Sequence, residues 1–103
     1  MRIGQIEMFP TKIICLGRNY LEHALEMKKK VPKEPIFFYK GLNTLILNEE
    51  SIIYPKLLHD NEEYNQIDHE VELAVIIKKK GKHISKEDVV DFILGYSIFL
   101  DIT

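Results

Sequence analysis

Glu70 and Glu72 stand two apart in the stretch Asp68-His69-Glu70-Val71-Glu72-Leu73-Ala74-Val75-Ile76-Ile77. Its Val and Ile residues favour a pleated, half-buried strand. Residues two apart in a strand project to one face, so the two carboxylates lie roughly 6 to 7 Å apart along the chain. They repel unless something neutralises them, and a divalent cation with hard oxygen ligands does so. A solvated outer face is the other reading, and the E-x-E spacing alone leaves both open. Asp101 supplies a third acid. It falls in the apolar run Tyr96 to Thr103, read as a final strand on which Gly95, Ser97, Phe99 and Asp101 share one face. A carboxylate among apolar neighbours needs a partner, a metal or a shifted pKa. Three such acids could make an oxygen site suited to Mg2+. Zinc fits less well, because no Cys or His cluster has ligand spacing and His59, His69 and His83 are scattered. His69 falls on the strand face opposite Glu70 and Glu72 and reads as structural.

A second pair with chemical potential is His23 and Glu26. They lie three apart in Leu21-Glu22-His23-Ala24-Leu25-Glu26-Met27, a predicted helix entered through Gly17-Arg18-Asn19-Tyr20 with Asn19 as N-cap. Three-residue spacing makes them neighbours on the polar side of the helix. As a plain surface pair they would contribute a few tenths of a kcal/mol.

The elements that must position these residues are mostly strands. Lys12 to Leu16 reads as a short buried strand closed by Gly17, and Val31-Pro32-Lys33-Glu34-Pro35 cannot continue the helix. Ile36 to Lys40 is an aromatic-rich strand ended by Gly41. Leu45 to Leu47 and Ser51 to Tyr54 read as short strands around Asn48-Glu49-Glu50, with Pro55 ending the second. Leu57 to Asn65 reads as a polar loop, and Lys78 to Lys82 as a turn. Ser85-Lys86-Glu87-Asp88 has the form of a capping box with Asp for Glu. It predicts a short helix that buries Val89, Val90 and Ile93 and stops at Gly95.

Composition narrows the classes. The chain has 103 residues, 46% hydrophobic and 29% charged, which bounds it to one ordinary globular domain. A formal net charge of −2 gives no reason to propose nucleic acid or an anionic membrane as partner. The triplets Lys28-Lys29-Lys30 and Lys78-Lys79-Lys80 read as solvated surface. The first residues carry no long apolar run of the signal-peptide kind, and no stretch approaches the roughly 18 apolar residues of a membrane span. The single cysteine, Cys15, lies in Ile13-Ile14-Cys15-Leu16 and reads as a small packing hydrophobe, which fits a reducing cytoplasm.

Four blocks in order carry a resemblance: KIICLGRNYLEHALEM (Lys12 to Met27), EPIFFYK (Glu34 to Lys40), DHEVELAVII (Asp68 to Ile77) and ISKEDVVDFILGYSIFLDIT (Ile84 to Thr103). Together they resemble the fumarylacetoacetate hydrolase family, in its acylpyruvate hydrolase and oxaloacetate decarboxylase branch. The resemblance implies an α+β, mostly β fold: part of a mixed β-roll with two short helices. Residues 1–103 would form a single domain corresponding to the N-terminal half of the catalytic domain, since family members continue past Asp101-Ile102-Thr103. It implies that Glu70, Glu72 and Asp101 hold Mg2+, with Mn2+ or Ca2+ as replacements. His23 and Glu26 match a catalytic pair on a lid helix, Arg18 a residue near the substrate carboxylate, and Lys40 the lysine of an F-x-K-P segment. Here Gly41 stands in place of that proline, which bears on the local loop geometry.

The function so implied is Mg2+-dependent C–C bond hydrolysis, decarboxylation or isomerisation of 2-oxo acids such as acylpyruvates or oxaloacetate. His23, oriented by Glu26, would activate a water, while the metal stabilises the developing enolate. The alternative is a non-catalytic, truncated remnant acting as a metal-binding or dimerisation module. Where the chain ends, strand edges and apolar faces would lack cover. That predicts a homo-oligomer, or a second chain supplying the missing half.

Overall fold

The computed structural model describes residues 1–20, 25, 26, 28 and 32–103. Backbone proximity divides the chain into two compact units, Met1–Ile52 and Ile53–Thr103. Among the described residues both are built mainly from antiparallel strand pairs, with only short helical pieces. The mostly β reading holds.

In the first unit, β1 (Arg2–Ile3) and β2 (Ile6–Glu7) form a small hairpin. Gly4 turns it with φ 59°, a left-handed value that costs glycine nothing. β3 (Ile13–Gly17) pairs antiparallel with β4 (Ile36–Lys40), in a register running from Ile13 opposite Lys40 to Gly17 opposite Ile36. Both strands fall where the β-branched and aromatic runs predict them. Cys15 sits opposite Phe38 and is half-buried, as a packing residue would be. Arg18 follows β3 with φ 52°, the turn expected after Gly17. The predicted lid helix lies largely outside the described residues, which include only Leu25 and Glu26 of its core, both helical.

Gly41 resolves the question its sequence context raised. Its φ of −67° and ψ of 142° are values a proline adopts, so the loop keeps proline-compatible geometry without the proline. A 3-10 turn over Leu42–Thr44 follows, and the Thr44 hydroxyl donates to the Gly41 carbonyl at 2.7 Å. The strands expected at Leu45 to Leu47 and Ser51 to Tyr54 do not form. Leu45 is extended, but neither segment joins a ladder. The turn between them closes locally instead, with the Glu50 N–H donating to the Leu47 carbonyl at 3.2 Å.

The second unit is dominated by one ribbon. β5 (His69–Ile77) pairs antiparallel with β6 (Ile93–Ile102) along nearly its whole length, and reciprocal Asp68–Thr103 backbone bonds of 2.8 and 3.0 Å extend it. A single α-helical turn, Lys56–His59, replaces part of the loop predicted before it. The Ser85–Asp88 cap forms locally, with the Asp88 N–H on Ser85 Oγ at 3.3 Å and the Ser85 hydroxyl on Asp88 Oδ2 at 2.7 Å. It opens only a 3-10 turn, Val89–Phe92, and Val89 and Val90 stay exposed. Gly95 does not stop a helix; it lies inside β6, opposite Ile76. The long ladder overrides the helix signal, because Ile93 already pairs with Ile77 past a bulge at Ile76/Ile77.

Candidate functional site

Strand periodicity and ladder register place the three acids. Glu70 and Glu72 alternate with Val71 on β5, and Glu70 sits directly opposite Asp101 on β6. Glu72 faces Phe99, one pleat along on the same side. Directly opposed side chains have Cβ atoms about 5 Å apart, and diagonal neighbours about 7 Å. One face of the ribbon therefore carries Glu70, Glu72, Ser97, Phe99 and Asp101, the register joining the two groupings that alternation predicts for each strand. His69 projects to the other side, as alternation predicts, and is exposed there.

Burial grades these acids. Asp101 is 2% exposed and is the buried charged side chain among the described residues. Glu70 and Glu72 are half-buried. Removing a carboxylate from water costs several kcal/mol unless other groups compensate, so three acids on one partly covered face require compensation. All-oxygen donors suit a hard cation better than zinc, which favours Cys and His ligands. The side chains stop short of closing around an ion. Among the described residues, no three His, Cys, Asp or Glu groups are gathered closely enough to hold one. The shared face is present; a converged ligand set is not, among the described residues.

The remaining candidates lie in the first unit, each in its own setting. Lys40 is half-buried at the end of β4, opposite Ile13. Arg18 is exposed and borders a cavity of about 170 Å3 lined by Leu16, Gly17, Asn19 and the segment 32–35. Lys33 in that segment is a second cation beside the cavity, which sequence reading did not single out because it stands between prolines in an apparent linker. Glu26 is helical and exposed. His23, the proposed partner of Glu26, lies outside the described residues.

Residues 12–103 match the family described as fumarylacetoacetate (FAA) hydrolase C-terminal. The chain belongs to the fumarylacetoacetate hydrolase family. Similar proteins include an uncharacterized protein of Pyrococcus abyssi, 47% identical over 102 residues, which takes in 99% of this chain and 43% of that protein. A Caenorhabditis elegans protein named as a mitochondrial oxaloacetate tautomerase is 44% identical over 93 residues, 90% of this chain and 41% of its own length. A human protein named as a mitochondrial oxaloacetate tautomerase is 36% identical over 95 residues, covering 92% and 28%. The chain thus spans less than half the length of these fumarylacetoacetate hydrolase family relatives. No helix among the described residues is long and apolar enough to cross a membrane.

Proposed function

We propose that residues 12–103 are the acid-bearing, N-terminal half of a divalent-metal-dependent catalytic domain acting on 2-oxo acids, part of the mixed β-roll of this family. The observation that carries this reading is the register of β5 on β6, which sets Glu70 against Asp101 with Glu72 on the same face. Glu70, Glu72 and Asp101 would hold the cation, Mg2+ in the first instance. Once bound, that ion supplies Lewis acidity toward the carboxylate and keto oxygens of a 2-oxo acid.

The chain's other groups then take complementary roles. Arg18 offers a guanidinium fork for a substrate carboxylate, and Lys40 a second positive charge. His23, held in orientation by Glu26, moves the proton: from an attacking water in hydrolysis, or between carbon and oxygen in tautomerisation. The relatives named as oxaloacetate tautomerases favour oxaloacetate as the substrate and proton transfer as the step.

Oxalate tests the substrate class without requiring turnover, because it presents the adjacent oxygens of a 2-oxo acid in a stable dianion. Mg2+ plus oxalate should raise the melting temperature beyond Mg2+ alone, by the linkage of binding to stability. Arg18→Ala should remove the oxalate increment and leave the Mg2+ increment. A protein that responds to Mg2+ but never to oxalate is a metal-binding scaffold, and the 2-oxo acid reading fails.

A further inference from the structure

The acid face of the ribbon is not acidic along its whole length. Read from the Asp101 end, it carries the opposed pairs Glu70–Asp101, Glu72–Phe99 and Ala74–Ser97. Alternation alone puts Phe99 on the same strand face as Asp101, and the register adds that Phe99 stands directly against one of the three carboxylates. Opposed residues have Cβ atoms about 5 Å apart, and residues two apart on one strand lie about 7 Å apart. Glu72 and Phe99 are both half-buried, whereas Ile98 and Leu100 on either side of Phe99 are exposed. The next side-chain oxygen on β6 is the Ser97 hydroxyl, four residues before Asp101 and so roughly 13 Å along the strand. Phe99 therefore ends the run of oxygen donors on this face.

We infer that Phe99 is a positioning residue for Glu72 and biases the three acids toward Mg2+ and against Ca2+. The inference rests on the metal reading proposed above and deepens it. The two ions differ in what they ask of a site. Ca2+ takes about six to eight oxygens and often both oxygens of one carboxylate, whereas Mg2+ demands a compact, near-octahedral set of about six. Discrimination between them is therefore a matter of room, ligand number and ligand freedom. Phe99 acts on all three. Its bulk takes up space beside Glu72 that additional water ligands would need. Its ring offers no hydrogen bond, so water held on that side would lack a partner. It also crowds the Glu72 stem from the opposite strand, which limits the rotamers that would turn both carboxylate oxygens to one ion. On the other side of Glu72 lies the Glu70–Asp101 pair, so the donors stay few and the site small.

The test is the ratio of the Ca2+ to the Mg2+ dissociation constant, each read from melting temperature against metal concentration at matched ionic strength. A general loss of stability cancels in that ratio, so a purely structural role for Phe99 would not move it. Phe99→Ala should shift the ratio toward Ca2+ by about tenfold, and Phe99→Leu, which refills the space with apolar bulk, should stay within about threefold of wild type. Ile98→Ala, the next residue along β6 but on the other face, should leave the ratio unchanged. If Phe99→Ala loses its far-ultraviolet β signal, Phe99→Val decides, because a β-branched side chain suits the strand and still opens space. It should shift the ratio in the same direction by several-fold. A wild type that binds neither ion removes the metal reading, and this inference with it. A wild type that binds both, with a ratio that Phe99→Ala leaves alone or that Phe99→Leu or Ile98→Ala moves as far, keeps the metal reading and overturns the role of Phe99.

Discussion

Replacing Glu70 and Glu72 together by glutamine separates a metal-holding role from a structural one, because the two roles predict opposite signs. Glu70 faces Asp101 in register, and opposed residues lie about 5 Å apart. Two unit charges at that distance repel by about 3 kcal/mol at an effective dielectric constant of about 20, and by about 1 kcal/mol where water screens them fully. Half-burial of Glu70 beside a buried Asp101 puts the ribbon between these limits. Neutralising both glutamates, at constant shape, should therefore leave the metal-free protein as stable as the wild type or more so.

The metal-loaded comparison runs the other way. If Mg2+ binds with a dissociation constant of about 1 mM, about 10 mM Mg2+ adds roughly 1.4 kcal/mol to the folded state. For a domain of this size, that corresponds to a rise of about 6 to 11 °C in melting temperature. The double variant should show none of it. Differential scanning fluorimetry with Mg2+, Mn2+ and Ca2+, against a Na+ control of matched ionic strength, reads both quantities in one experiment. An equal Mg2+ shift in the variant would refute the ligand assignment. A metal-free variant that loses several degrees would show that the carboxylates serve mainly as hydrogen-bond acceptors.

Two further predictions address the first unit. In a preparation that turns over an acylpyruvate or oxaloacetate, His23→Ala should lower kcat by about two to four orders of magnitude while the Mg2+-induced rise in melting temperature survives; a kcat within a few-fold of wild type would return His23 to the surface-pair role. Gly41→Pro should stabilise by about 0.4 to 1 kcal/mol in urea unfolding, because φ at Gly41 is already −67° and Lys40 before it is in a strand. Asn43 Oδ1, only 2.5 Å from where a Cβ would stand, must swing aside, and a net loss of stability would show that it cannot.

What the sequence revealed, and what it concealed, divides along the range of the forces involved. That Glu70 shares a face with Glu72, and Asp101 one with Ser97 and Phe99, was legible because a period of two is a property of each strand by itself. Ile13–Gly17 and Ile36–Lys40 were legible for the same reason. Pairing was not. Nothing local in Leu45 to Leu47 or Ser51 to Tyr54 tells whether a ladder partner exists, so good strand formers there stay outside any ladder. Nothing local in Ser85 to Gly95 announces that Ile93 will be claimed by Ile77, which cuts the helix to one 3-10 turn.

The same limit applies to the two faces of the ribbon. Val71, Leu73, Tyr96 and Ile98 alternate with the acids as core residues do, yet alternation specifies only that something apolar must cover them. Whether that cover comes from the same polypeptide or another is a question of partners, which no strand pattern encodes. The acids pose the matching problem on the opposite face, where a cation rather than an apolar layer would satisfy them. Glu70 and Val71 are one residue apart, and each needs a different kind of completion. Changes that perturb only the acid face and changes that perturb only the apolar face should therefore have additive effects on stability, unless the ribbon's twist couples them.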